Sequence, residues 1–292
     1  MYNGYGRCRV LKDLSMIAIM IPARNEENHI KETVECLLML DEKLQKYKFE
    51  IVVVDDGSKD RTVEILKKLP VSIVERVDRG YSALGLPELA ETHNSGFKYI
   101  SDNFENIKYL MVVGADTTFD ENYIDLLLEE FDKNEKLVMA AGRIENTTAA
   151  KNAVRGSGRI IKYEFWTEFG ELLPTKYYSW ESYPIYYALM KGYQTKTVNN
   201  AIMYTKREPL ALVDWKRYGI QMKEIGYRWP YVMHRAMREM LKLRFKRALR
   251  LFIGFLQKSV NKYPVEMREY VRNYQKHQIV NRLKIIKSQK FV

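Results

Sequence analysis

The chain has 292 residues, 46% hydrophobic and 29% charged, with 15 Gly and 8 Pro. That balance excludes disorder, collagen-like repeats and long flexible linkers, and it leaves room for one large domain or one domain with an appendage. The net charge of +11 is uneven: from Arg235 to Val292 sixteen Lys or Arg stand against three acids, a balance of +13, which leaves −2 for residues 1–234.

Two cysteines, Cys8 and Cys36, are too few for a disulfide framework or a cysteine zinc site, so no disulfide is predicted and a reducing compartment is expected. No early apolar run has the form of a secretory signal, and no stretch approaches the roughly 20 apolar residues that a membrane span requires. The expectation is a cytoplasmic protein, peripheral on the inner membrane face if it meets a membrane.

Residues 1–15 lack periodicity and read as an N-terminal arm. After them the pattern predicts a strand over 16–21, an amphipathic helix over 28–46, a strand over 49–54, a helix over 60–68 and a strand over 71–75. A long loop leads to a helix ending near Ile100, a strand over 109–113, a helix over 121–132 and a strand over 137–144. Short apolar runs alternating with helical patterns indicate an α/β fold with a mostly parallel central sheet covered by helices on both faces. The organisation expected is an arm (1–15), an α/β domain (16–205) and a helical, basic C-terminal region (206–292).

Ligands of such sheets sit outside the carboxyl ends of the strands. Three strands end in polar sequence: "PARNEEN" at 22–28, "DDGSKD" at 55–60 and "GADTTFD" at 114–120. In the first, Glu26 and Glu27 suit the positive end of a helix dipole and Asn28 is an acceptable cap, while Arg24 and Glu26 have chemistry to spare. In the second, Asp and Gly suit a turn and Asp60 can cap the next helix, yet a turn does not need two adjacent acids, so Asp55 or Asp56 is free to accept a hydrogen bond from a ligand such as a nucleobase. In the third, Thr118 or Asp120 suits the start of a helix, whereas Asp116 comes too early for that. A hard cation, Mg²⁺ or Mn²⁺, needs only one or two carboxylates when phosphates and water complete its shell, so Asp116 alone suffices for a metal that arrives with a diphosphate.

Taken in order, "PARNEE", "VVVDDGSKDRT", "HNSGFKY" and "VVGAD" resemble the family 2 glycosyltransferases across roughly residues 16–205, a family with the GT-A fold, which moves a sugar from a nucleotide-sugar with inversion. The resemblance implies a site for a UDP- or GDP-sugar lined by Pro22, Arg24, Glu26 and Ala115, with Asp56 or Asp55 on the base and Asp116 on Mn²⁺ or Mg²⁺. Gly114 stands where that family usually carries the first Asp of its DxD motif. Residues 78–99 look like the family's "GxGxxxARNxG" stretch with an insertion; Asn94 and Gly96 match its end, and Arg79 is a candidate for the phosphates.

"SWESYPIYYALMKGY" resembles the family's "EDxxLxxRxxxxGY" segment and sets Glu181 in the place of the catalytic base, the usual acid pair having become Trp180 and Glu181. The other reading of Glu181 is an acid at a helix start, with Pro184 in its first turn. A hydroxyl acceptor gains from a positioned base, whereas an ionised phosphate does not, so Glu181 favours a glycan or glycolipid hydroxyl. Trp166, Tyr177, Tyr178, Trp180, Tyr183, Tyr186 and Tyr187 fill a core or stack on sugars. The four histidines show no metal-ligand spacing, and no P-loop or nucleophile elbow is visible.

From Arg235 to Lys258, Met237, Leu241, Phe245, Ala248, Phe252 and Phe255 recur at helical spacing, with Arg238, Lys242, Lys246 and Arg250 on another face. Such a helix either lies on an anionic membrane or packs on the domain with its charges in water. No nucleic-acid motif accompanies it, so no nucleic-acid partner is expected. Two alternatives stand beside sugar transfer: a sugar-phosphate nucleotidyltransferase, for which "PARNEE" is not the expected Gly-rich basic loop, and a non-catalytic membrane or nucleic-acid adaptor using the basic tail.

Overall fold

The structure is a computed structural model describing residues 15–44, 46–147, 154–207, 214–258 and 260–276. The expected arm therefore lies, apart from Ser15, outside the described residues, as does the tail beyond residue 276. Eight strands form one sheet: β1 (Met16–Ala23), β2 (Lys48–Asp55), β3 (Ser72–Glu75), β4 (Ile107–Val112), β5 (Thr117–Phe119), β6 (Leu137–Ile144), β7 (Arg159–Lys162) and β8 (Gln194–Thr205), in the order β3-β2-β1-β4-β7-β6-β8-β5. Pairings β1–β2, β1–β4, β2–β3 and β6–β8 are parallel; β4–β7, β6–β7 and β5–β8 are antiparallel.

The apolar run of β1 follows from burial on both sides. Ile17, Ile19 and Ile21 join the core beneath α1 (Ile30–Lys43) and α4 (Tyr123–Lys133), while Ala18 and Met20 join the opposite core beneath α3 (Leu89–Asn103). β2 divides likewise, Ile51 and Val53 to one side and Val52 and Val54 to the other, as expected of strands covered by helices on both faces. At Gly96 in α3 a Cβ would stand 2.6 Å from the Met20 side chain and 2.7 Å from Val54, so this residue lets α3 lie close on the sheet.

Three strands escape the apolar pattern. β5 is only three residues long, β7 is four, and β8 is polar over much of its length. β8 is held by long-range pairing with β6, with a register shift near Gly142, whose Cβ would meet the Ala201 carbonyl at 2.2 Å. Neither Thr118 nor Asp120 caps a helix: "TTF" forms β5, and the helix expected over 121–132 is α4, which starts at Tyr123 after an Asn122 that makes no side-chain cap. Asp120 instead accepts a hydrogen bond from the Tyr204 hydroxyl at 2.7 Å.

Beyond α2 (Thr62–Leu66), α5 (Tyr163–Phe169) and α6 (Tyr183–Met190), the C-terminal region holds α7 (Trp215–Ile225), α8 (Trp229–Leu241), α9 (Phe245–Leu256) and a helical segment over 265–276. The single helix expected over 235–258 is two helices, broken where Leu243 takes a left-handed φ of 58°. That break resets the phase of the apolar pattern, so Ala248 is buried while Met237, Leu241 and Phe245 are exposed. α9 packs on α7 through small residues: a Cβ on Gly254 would stand 1.9 Å from the Lys216 carbonyl, and one on Gly219 would stand 2.1 Å from that of Leu251.

Backbone cannot yield to a methyl group as a side-chain tip can. Gly254→Ala is expected to destabilise the protein by about 1–3 kcal/mol through overpacking, measured by urea unfolding; an unchanged midpoint would contradict this packing.

Candidate active site

Three loops meet beyond the carboxyl ends of β1, β2 and β4. Arg24 reaches from the first to the second, donating to the Asp56 carbonyl, and to the loop after β3, donating at 2.6 Å to the Asp78 carboxylate. Asp78 also accepts from the Gly80 N–H at 2.8 Å and faces Lys59 at 3.0 Å. Hydrogen bonding from Arg24, above all, holds its carboxyl well below the usual range. Gly57, at φ +77°, lets the loops close up, since a Cβ there would stand 2.4 Å from the Asp78 Cα.

Asp55 and Asp56 take different places. Asp55 Oδ2 accepts the N–H groups of Gly57 and Ser58 at 3.1 and 3.0 Å, as a turn requires, while its Oδ1 is buried without a partner. Asp56 lines the cavity, its Oδ1 2.8 Å from the Arg79 guanidinium and 3.2 Å from Arg76. Arg79 is thereby turned toward Asp56 and also donates to Thr92 at 3.3 Å.

Glu26 is buried at the other side, its N–H donating to Thr62 Oγ1 at 2.8 Å. Its carboxylate binds Arg207 at 2.6 Å, and the same guanidinium stands 3.9 Å from Asp116. The β5–β8 register explains this neighbour: Thr117 pairs with Thr205, and the Lys206 N–H donates to the Asp116 carbonyl at 3.2 Å, which brings residue 207 beside the end of β4. Arg207 lies just past residue 205, where the resemblance to the family ends; the cationic pair Lys206–Arg207 directly after a strand is the signal in the sequence.

Pro22, Arg24, Glu26, Asp56, Ala115, Asp116 and Arg207 line one cavity of about 370 Å³. A larger hollow, about 500 Å³, lies at the opposite ends of the strands near Ser15, Asn106 and Lys108, away from these carboxylates. Gly114 has a local cause: a Cβ there would stand 3.0 Å from Thr117 Oγ1 and 3.3 Å from both Asp116 Oδ1 and Ser157 Oγ, and its N–H donates to Ser157 at 2.8 Å. A side chain there would crowd the Thr117 and Ser157 hydroxyls and the Asp116 carboxylate.

Among the described residues no cluster of three or more His, Cys, Asp or Glu is arranged around a point. The donor set at Asp116, one hard oxygen ligand beside a cavity, suits a divalent ion shared with a diphosphate and does not form an all-protein site.

Glu181 borders a second, narrow cleft with His93, Gly156, Arg159 and Trp180. A Cβ on Gly156 would stand 2.5 Å from its Oε1. Residues 156 and 157 therefore link the two groups, Gly156 lying against Glu181 and Ser157 bonded to the loop of Asp116. Trp180 anchors Glu181 from beneath: it is buried, donates from Nε1 to the Leu86 carbonyl at 3.2 Å, and lies 4.7 Å from the His93 ring. Trp166 and Tyr177 are buried as well. Asn94 exchanges two 2.8 Å hydrogen bonds with the backbone of Leu173.

The turn before Glu181 is held from the C-terminal region by a residue that the sequence did not single out. Glu224 of α7, 1% exposed, accepts from the Tyr178 and Ser179 N–H groups at 3.0 and 2.9 Å and from the Ser179 hydroxyl at 2.7 Å. Burial pushes its carboxyl up, against those hydrogen bonds.

With this geometry in view, the sequence profile of Glycosyl transferase family 2 matches residues 18–182. The chain belongs to glycosyl transferase family 2. Within this family it is 29% identical to the poly-beta-1,6-N-acetyl-D-glucosamine synthase of Staphylococcus epidermidis over 154 residues, 50% of this chain and 32% of that one. The Staphylococcus aureus protein of the same name is 29% identical over 157 residues, covering 52% and 33%. The chain thus spans about one third of the length of the curated relatives it matches.

Its fold is similar to that of the mannosyltransferase PcManGT from Pyrobaculum calidifontis, solved with GDP-Man and Mn²⁺, at a TM-score of 0.55 and 17% identity over 80% of this chain and 69% of that one. S. aureus TarS with UDP-GlcNAc gives a TM-score of 0.51 at 16% identity, covering 80% and 72%. The GT-A-like α/β fold agrees with the family.

Two measurements test how this region is built. Burial holds the His93 imidazole down at about 4, whereas unfolded chain gives about 6.5. The unfolded state then binds more protons between those values, so stability present above about 6.5 is lost as pH falls toward 4, about 2 kcal/mol of it by pH 5. Urea unfolding should display this loss, and His93→Gln should flatten it; equal pH slopes would refute the assignment. Glu224→Ala should cost about 3 kcal/mol, since it strands three donors, two of them buried, and an effect under about 0.5 kcal/mol would mean that the turn stands without Glu224.

Proposed function

We propose that the protein is a glycosyltransferase that moves a sugar from a UDP- or GDP-sugar to a hydroxyl of a glycan or glycolipid, with inversion at the anomeric carbon. The observation that carries this reading is the single cavity in which Asp56, Glu26, Arg24, Ala115 and Asp116 converge from three strand ends. Its volume is in the range of small-molecule sites.

Asp56 takes the N–H edge of the base, with the unspent Asp55 Oδ1 behind it. Pro22, Arg24, Glu26 and Ala115 border the nucleotide. Arg79 acts through Asp56, which it orients, in place of the direct phosphate contact that its loop position suggested. Asp116 is the carboxylate that would hold Mn²⁺ or Mg²⁺ on the diphosphate, and that ion would supply positive charge where negative charge builds on the leaving group. Arg207, bound to Glu26 and facing Asp116, adds a second positive group at the same place.

Glu181 removes the acceptor proton as the acceptor oxygen forms its bond to the anomeric carbon. The bond from that carbon to the diphosphate oxygen breaks, and the electron pair leaves with the nucleoside diphosphate. One displacement on the face opposite the leaving group gives inversion. Holding donor and acceptor in line and the positive charge at the leaving group supply much of the rate, and the Glu181 carboxylate adds to it as general base.

A panel of nucleotide-sugars, assayed for metal-dependent release of nucleoside diphosphate and for thermal stabilisation, tests the reading. With the active donor, Glu181→Gln should lower kcat about a hundred- to ten-thousand-fold while leaving donor stabilisation intact. Asp116→Ala should abolish transfer in a folded protein. Full, chelator-insensitive activity of Asp116→Ala would overturn the metal assignment, and unchanged kcat in Glu181→Gln would overturn the base.

A further inference from the structure

We infer that the α8–α9 hairpin seats this protein on an anionic membrane surface, with the apolar outer stripes of both helices in the lipid. The inference stands apart from the sugar-transfer reading, because it rests on a different part of the molecule.

Each of these helices carries two apolar stripes where a helix packed on one side needs only one. The inward stripe of α8 is Val232 and Ala236, and that of α9 is Ala248, Leu251 and Gly254, all buried against neighbours that include α7. The outward stripe of α8 is Trp229, Met233, Met237 and Leu241, at intervals of four residues. The outward stripe of α9 is Phe245, Leu249, Ile253 and Leu256, at nearly the same interval. All eight are exposed. Leu243, in the turn between them, is 79% exposed and Leu241 is 77% exposed, so the apolar surface runs through the tip of the hairpin. Exposed apolar side chains in this number and at this spacing mark a contact site.

Charge selects the partner. Residues 228–258 hold nine Lys or Arg and one acid, Glu239. That acid is buried, with Arg244 at 3.9 Å, so it does not offset the positive surface on which Arg238, Lys242 and Lys246 are exposed. A second copy of the chain would bring the same positive surface against this one and be repelled. A nucleic acid would satisfy the charge and leave the apolar stripes in water. An anionic bilayer satisfies both, taking the side chains among its acyl chains and the cations among its headgroups. No helix of the described residues is long and apolar enough to cross a membrane, so the contact proposed lies in the interface.

The hairpin also stands close to the cleft. Arg250 of α9 pairs with Asp214 at 3.1 Å, Arg217 one turn further on reaches the Leu84 carbonyl at 3.5 Å, and Leu84 lines the cavity. The hairpin is thereby connected, through Asp214 and Arg217, to the cavity wall at Leu84.

The test is co-sedimentation of the full chain with phosphatidylcholine vesicles, with and without about 30% phosphatidylglycerol, in about 0.15 M salt. Binding should be about tenfold or more tighter to the anionic vesicles. The emission of Trp229 should shift to the blue and be quenched by brominated lipid, and Trp229→Phe should remove that signal. Leu243→Glu with Phe245→Glu, both at exposed positions, should keep the circular dichroism spectrum and weaken binding about tenfold or more. No binding to anionic vesicles, or undiminished binding by the double variant, would overturn the proposal. So would sedimentation showing that the wild type self-associates through this face, with the double variant monomeric and no vesicle binding by either. Because no donor is present, a negative result here leaves the sugar-transfer reading untouched, and a failed donor screen leaves this one untouched.

Discussion

The Arg24 guanidinium joins the loop after β1 to the loop after β2, through the Asp56 carbonyl, and to the loop after β3, through the Asp78 carboxylate. Three chain segments distant in sequence are fixed by one planar group whose donors lie in a rigid fork. Asp56 and Glu26, two of the carboxylates that the proposed function uses, stand beside that clamp. Asp56 is held by its own backbone and by Arg79 and Arg76, Glu26 sits two residues beyond Arg24, and Gly57 has no side chain because the clamped loops leave no room for one. Strands buried on both faces give the clamp a stiff base, because β1 and β2 cannot slip without moving two cores.

The C-terminal region is coupled to this centre through Glu224. A buried carboxylate that accepts three hydrogen bonds from residues 178 and 179 sets the turn from which Trp180 and Glu181 emerge. Trp180 then returns the connection to the loop at Leu86, which borders the cavity wall at Leu84. The helices after β8 thus do more than carry charge. They complete the wall on which the proposed base stands, and they present an outer surface of different chemistry.

Much of the fold was legible because the first half of the chain obeys period rules. The apolar runs of β1, β2, β4 and β6, the helices between them and the polar strand ends could be placed from sequence alone, within a few residues at each boundary. β5, β7 and β8 could not, since "TTF" and "QTKTVNNAIMYT" carry no apolar alternation and are held by pairing with distant strands. In the candidate site the adjacent acids were visible, but their division between a turn and the cavity depends on backbone N–H directions that spacing does not encode. Arg207 and Glu224 were hidden for a related reason: each reaches the site only through a tertiary contact. Gly114 was visible as an anomaly and intelligible only once Ser157 stood beside it. In the basic tail the amphipathic pattern was real, and its phase was lost at Leu243, where one left-handed residue turns one helix into two.

The central claim is that the cavity between Asp56 and Asp116 binds a nucleoside diphosphate. Calorimetric titration of UDP and GDP, in Mn²⁺ and in chelator, against the wild type and Asp56→Asn tests it most directly. The account predicts that one of the two nucleotides binds, that binding weakens about tenfold or more in chelator, and that Asp56→Asn weakens it about tenfold or more in either medium. Absence of binding by both nucleotides, or affinity indifferent to both the chelator and Asp56, would contradict it.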